Sequence, residues 1–191
     1  MKHTTHLLIS TAVAIPIMAN TGTLTVTSML ALSLGALAPD IDEPESYIGR
    51  RTRGVSDLIK LLFGHRGLTH TLVGLFFGMF LALLLGTYFI KDHTLIYYFI
   101  LGYFLHLLED SFSKSSIMWL YPFTEKTIHF PFYYVTGSFT EAIIGFVAMG
   151  IVYLQLTKTD YAFISDPYIN FNNLTQLFDV LFNRLSRIFI R

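Results

Sequence analysis

The stretch TLVGLFFGMFLALLLGTYFI, residues 71–90, decides the fold. It carries no charge over about 20 residues, the length an α-helix needs to cross a hydrocarbon core. Leu and Phe dominate it, and Gly74, Gly78 and Gly86 leave room for close helix packing. A segment of this kind predicts a membrane-spanning helix, and the flanking sequence supports that reading in both directions.

After it, Thr94–Leu108 is apolar and holds His106 in its last turn, and Ala142–Leu156 forms a third strong segment behind Glu141. Before it lie His6–Ala19 and Leu24–Ala38, joined by Asn20-Thr21-Gly22-Thr23, which reads as a tight turn. These two are shorter than the usual span, so they form two short crossings or a hairpin that enters and returns. Pro16 is expected to kink the first helix or shift its end. The first segment lacks a clear small-residue cleavage site and reads as retained, not as a signal peptide.

The composition agrees. Of 191 residues, 53% are hydrophobic and 14% charged, against roughly 25% charged in soluble domains. The formal charge is zero, which gives no electrostatic pull toward nucleic acid. Cysteine is absent, excluding disulfides, thiolate metal sites and cysteine nucleophiles. Any metal here must be held by imidazole and carboxylate.

Two polar loops separate the spans. Residues 43–64 carry Val55, Leu58, Ile59, Leu62 and Phe63 at helical spacing, amid Arg50, Arg51, Arg53 and Lys60. Residues 111–140 carry Trp119, Tyr121, Tyr133 and Tyr134 with Phe123, Phe130 and Phe132, an aromatic composition suited to the headgroup region. Residues 1–160 form the membrane-embedded unit. Residues 161–191 end in an apolar stripe (Leu177, Phe178, Leu181, Phe182, Leu185) opposite Arg184, Arg187 and Arg191, which reads as an interfacial helix or as a packing helix with a basic face.

The spans sort the polar residues. With five crossings, His6, Asp40, Asp42, His65, His70, His106, Asp110 and Glu141 all fall on one face. That face also carries Lys2, Arg50, Arg51, Arg53, Lys60, Arg66, Lys114 and Lys126, and this excess assigns it to the cytoplasm. Histidine and aspartate are costly near a bilayer, so their convergence there is a functional hypothesis.

Each motif also has a plain alternative. Asp40 and Asp42 follow Pro39, which ends the preceding helix at Ala38; the pair can reach one cation or simply lie in a solvated turn. His65 and His70 enclose Gly67, which permits an unusual turn; they are ligands or loop polarity. His106 and Asp110 share a helix face by their i, i+4 spacing, so the Asp can bind metal, orient the imidazole or close a helix. Glu109 is expected to point elsewhere. His6 is a ligand or a polar group at a helix start. Glu141 is a general base, a ligand or an acid favoured at a helix N-terminus. Arg66 is placed to clamp an anion. His3, His93 and His129 are left outside the site. Seven N and O donors exceed one tetrahedral centre and suit two metals, or one with supporting groups.

In this order the motifs resemble the YdjM-like family of inner-membrane metal-dependent hydrolases, also described as LexA-regulated. The resemblance runs through His6, Pro39-Asp40-Ile41-Asp42, the Gly64–His70 run, Gly102-Tyr103 leading to His106 and Asp110, and Trp119-Leu120-Tyr121-Pro122. It covers roughly residues 1–145. The family pattern often has histidine at the position of Glu43, and a threonine–proline pair where this chain has Phe112-Ser113-Lys114.

The expectation is therefore an all-α integral membrane protein of four to five helices with a polar metal cluster at one membrane face. A divalent ion, zinc or manganese, would be held by His6, Asp40, Asp42, His65, His70, His106 and Asp110. Glu141 and Arg66 would serve catalysis, on a phosphoester or lipid-like substrate met among membrane lipids. The alternatives are a scaffold or sensor with a structural metal, and, last, a small transporter.

Overall fold

Each apolar segment folds as a helix in the computed structural model, which describes residues 1–64, 66–89, 92–128 and 130–158. The helices are α1 His3–Asn20, α2 Val26–Leu37, α3 Arg53–Phe63, α4 Leu72–Phe89, α5 His93–Ser111 and α6 Phe139–Lys158, with no strand among the described residues. The expected interfacial helix within 161–191 lies outside the described residues.

Local chemistry sets the helix ends. Thr25 caps α2 by accepting from the Ser28 N–H, and Asp92 caps α5 by accepting from the Thr94 N–H. α2 stops at Leu37, ahead of Pro39, and the chain tightens into a 3₁₀ turn over Ala38–Asp42. Gly64, at φ +76°, ends α3.

α2 packs most extensively on α5, which also touches α1 and α4. Two glycines make that approach possible. A Cβ on Gly35 would fall 1.9 Å from the Phe99 carbonyl oxygen, and one on Gly102 would fall 2.1 Å from the Leu32 carbonyl oxygen. Gly78 and Gly86 of α4 seat Tyr103 and Ile96 of α5 in the same way, whereas Gly74 approaches the Leu68 carbonyl. Leu32, Tyr98, Ala14, Ile15 and Met18 form the buried core between α1, α2 and α5.

α1 runs through Pro16 to Asn20 instead of ending there. Proline has no N–H, so the Ala12 carbonyl four residues earlier loses its helical donor. Gln155 of α6 supplies one through Nε2, at 2.9 Å. This cross-helix bond lies where α1 and α6 pack against each other.

The outer surface is apolar. Phe76, Phe77, Phe80 and Leu84 of α4 are exposed, as are Phe139, Phe146, Tyr153 and Leu154 of α6. Among the described residues, one helix, Phe139–Thr157, is long and apolar enough to cross a membrane, and Leu72–Thr87 is apolar but shorter. The 12 residues of α2 reach only about 18 Å.

The loop after α5 folds back over the helix ends. Trp119 donates to Ser111 Oγ at 2.8 Å, and the Tyr134 hydroxyl donates to the Glu109 carbonyl at 3.1 Å. Phe123, Phe132 and Tyr133 remain exposed.

Candidate metal centre

Three buried imidazoles point the same nitrogen inward, and each is held from behind. His106 projects from α5, and its Nδ1 lies 2.7 Å from the Ala36 carbonyl at the end of α2. That contact fixes Nδ1 as the donor and leaves Nε2 as a lone pair. His70 ends the 3₁₀ turn Leu68–His70, and its Nδ1 lies 3.1 Å from Asp42 Oδ2. His6 of α1 has Nδ1 2.5 Å from Glu109 Oε2. Orientation of a ligating histidine by an acceptor on its far nitrogen is the usual support of a metal site.

The inward atoms form two triads that share His106: Asp40, His70 and His106, and His6, His106 and Asp110. His106 Nε2 is 3.3 Å from His70 Nε2, and Asp40 Oδ1 is 3.6 Å and 3.7 Å from them. Ligands around a tetrahedral ion at zinc–nitrogen distance stand about 3.3–3.4 Å apart, so the first triad has nearly that spacing. In the second, His6 Nε2 is 3.5 Å from Asp110 Oδ1. Asp110 also joins the two, with Oδ2 3.8 Å from His70 Nε2.

Two lone-pair nitrogens at 3.3 Å repel unless a cation lies between them. The buried His6 Nε2 has no hydrogen-bond partner, a cost of about 1–3 kcal/mol for a polar atom removed from water. Both features fit a donor set arranged for a divalent ion. Without one, a proton takes that place. Burial alone would lower His70, but the Asp40 and Asp42 carboxylates beside it raise it to about 9. Burial alone would raise Asp40, but the His70 contact and the nearby imidazoles hold it down at about 2.

The carboxylates divide by position. Asp40 is partly exposed and Asp110 nearly buried. Both line a polar cleft of about 490 Å³ with Lys2, Glu43, Arg50 and Arg66. Asp42 lies behind His70, where Oδ2 also accepts from the Arg66 N–H at 2.9 Å and the Thr69 hydroxyl at 2.6 Å. It orients the ring instead of joining the inward triads.

Arg66 is tied down. Its guanidinium lies 2.7 Å from Asp110 Oδ2 and donates to Ser113 Oγ at 3.0 Å and to Ser115 Oγ. The unusual turn falls at Arg66 itself, with φ +57°. Gly67 is needed for a different reason, since a Cβ there would meet the Phe63 carbonyl at 1.9 Å.

Two expectations need correction. Glu141 does not stand among the inward donors. Its oxygens accept from the backbone N–H groups of Lys2 and Gly137, each at 2.5 Å, so it braces the start of α1 against the start of α6. Glu109 does not point elsewhere. It is buried, holding His6 with one oxygen and accepting from Ser10 Oγ at 2.9 Å with the other. Its spacing from His106 is i, i+3, which shares a helix face as i, i+4 does. That spacing is the signal by which it could have been found. His65 lies outside the described residues, as does His129. Glu43 turns outward to Lys60 at 2.9 Å.

Known proteins resemble this chain. A family model described as the YdjM inner membrane protein matches residues 1–167. The uncharacterized protein YvsG of Bacillus subtilis (strain 168) is 34% identical over 112 residues, covering 59% of this chain and 67% of that protein. The inner membrane protein YdjM of Escherichia coli (strain K12) is 34% identical over 96 residues, covering 47% of this chain and 46% of that protein, and the Shigella flexneri protein of the same name gives the same figures. This chain thus spans less than half the length of those last two. No solved structure matches.

Proposed function

This chain belongs to the YdjM inner membrane protein family, and on that premise we propose that it is a multi-pass inner-membrane, metal-dependent hydrolase acting on a phosphoester or lipid-like substrate. The observation that carries the reading is the inward convergence of His6, His70 and His106 Nε2 with Asp40 and Asp110. Zinc or manganese suits such N and O donors. The ion would supply Lewis acidity toward a phosphoryl or acyl oxygen and activate water at neutral pH.

The protein groups then have separate tasks. Asp42, Glu109 and the Ala36 carbonyl hold the three rings in register. Asp40, the more exposed of the two inward carboxylates, would accept the proton of the attacking water, a task expected of Glu141 or of one of the aspartates. Arg66 fixes Asp110 and presents its charge to the cleft, where Lys2 and Arg50 add to it. An apolar cavity of about 420 Å³ lined by Ile9, Val13, Leu105 and Ile144 adjoins through Met1, which lines both. A polar cleft beside an apolar one suits an amphiphilic substrate. The excess of Lys and Arg on this face supports a cytoplasmic orientation.

Elemental analysis of the detergent-purified protein tests the reading, together with turnover of phosphatidic acid and of a soluble aryl phosphate. Wild type should hold stoichiometric metal and release phosphate. His70→Ala and His106→Ala should lose both while keeping the helical circular dichroism. Metal unaffected by either variant would overturn the shared centre. Full burial of all three imidazoles favours one other reading, a closed structural metal site in a scaffold. That reading predicts bound metal with no turnover of either substrate.

A further inference from the structure

Helix α3 is amphipathic in the inverted sense. Val55 and Leu58 are each 55% exposed, Leu61 82% and Leu62 62%. Their spacing places them along one side of the helix. The opposite side is polar, and it is that side which turns to the protein. Lys60 pairs with Glu43 at 2.9 Å and Arg53 with Glu45 at 3.2 Å, both partners lying in the loop that follows the 3₁₀ turn Ala38–Asp42. Ser56 is buried between the two faces. In water this arrangement is unfavourable, since the apolar stripe faces solvent.

We propose that α3 lies in the membrane interface, with Val55, Leu58, Leu61 and Leu62 in the acyl boundary of the lipid layer. The inference rests on membership of a membrane-protein family and is independent of any metal chemistry. Three features select lipid as the occupant. The exposed cations Arg50, Arg51 and Arg53 cluster at the helix start, where anionic headgroups would meet them. The apolar outer surface of α4, beginning at Phe76, follows only 13 residues after Phe63 in the chain. Finally, an interfacial helix is expected to carry basic residues on its polar face and Leu or Phe on the other, as α3 does. Seated this way, α3 holds the polar cleft, which Glu43, Glu45 and Arg50 help to line, at headgroup height.

The absence of cysteine makes the test direct. Single cysteines replace Asp57, Leu58, Leu61 and Leu62 in turn, in full-length protein carrying a nitroxide label. The protein is reconstituted in bilayers of phosphatidylethanolamine and phosphatidylglycerol. Collision with oxygen, which concentrates in lipid, is compared with collision with a water-soluble nickel chelate. Positions 58, 61 and 62 should favour oxygen, at a depth of about 5–10 Å, and position 57 should favour nickel. Preference for nickel at all four would place the helix in water and overturn the proposal. Shielding of 58, 61 and 62 from both reagents would mean a protein cover, such as a second copy, and would overturn it too. Because these side chains are exposed, loss of folding is not expected, and unchanged helical circular dichroism checks this for each variant.

Discussion

His6, His70 and His106 each depend on a partner that takes no part in the inward triads. Glu109→Gln tests this dependence for His6. The amide keeps the shape but can present its N–H₂ to Nδ1, which reverses the polarity of the contact. Metal affinity should fall about 10–100-fold, the usual cost of losing such a support, with helicity unchanged; competition with a calibrated chelator reads it. His70 makes a pH-dependent prediction. Its raised value of about 9 means that the metal-free protein carries a proton there at neutral pH, and a metal must displace it. Apparent metal affinity should therefore rise by up to tenfold per pH unit as pH approaches 9, then level off. The metal-free fold behaves oppositely. Its stabilisation by protonated His70 is complete below the unfolded value of about 6.5 and is lost as pH rises through about 9, so the Tm of chelated protein should drop across that window. The residues legible in the sequence were those whose type alone is costly in a membrane: the histidines and aspartates. Their roles were less legible. Asp42 and Asp40 are two positions apart, yet one orients His70 and the other faces the cleft, because the 3₁₀ turn at Ala38–Asp42 separates their directions. Glu141 looked like a base because nothing in its own sequence shows that Lys2 and Gly137 will offer it two N–H groups.

Element boundaries were legible to within a few residues wherever an apolar run met a turn signal, as at Pro39 and at Asn20–Thr23. What periodicity does not encode is which helices touch. Gly35 approaches Phe99 and Gly102 approaches Leu32, and these meetings between distant parts of the chain are visible only in three dimensions. The same holds for Gln155, an amide in an otherwise apolar span, whose partner is a carbonyl released by Pro16 in another helix. This pairing yields a thermodynamic cycle. Gln155→Ala should cost about 0.6–1.7 kcal/mol, the range for interhelical hydrogen bonds in membranes. Pro16→Ala restores an N–H to the Ala12 carbonyl, and in that background the cost of Gln155→Ala should shrink. Reversible unfolding in mixed micelles measures both. Equal costs in the two backgrounds would show that the bond does not answer the missing donor.

For the whole molecule, the proposed topology puts the polar residues at one membrane face, turned toward the cytoplasm by the Lys and Arg excess. A membrane-impermeant maleimide tests the orientation on the cysteine-free background. Asn20→Cys, at the end of α1, should label in intact cells, and Lys114→Cys, in the loop behind Asp110, only after the membrane is opened. The reverse pattern would turn the protein over. The centre also has a temporal side, which follows from the contact between His6 and Glu109. Those residues are 103 positions apart. At a synthesis rate of about 5–20 residues per second, the histidine waits roughly 5–20 s for the carboxylate that will hold it. During that interval α1 and α2 are already made, yet none of the groups from α5 exists. A chain truncated before α5 would therefore leave His6 without its carboxylate, while His70 would already have Asp42 beside it. On the proposed reading a metal is captured only once the α5 groups have been made, and a cell that sorts finished from unfinished copies of this protein would have a chemical difference to sort by.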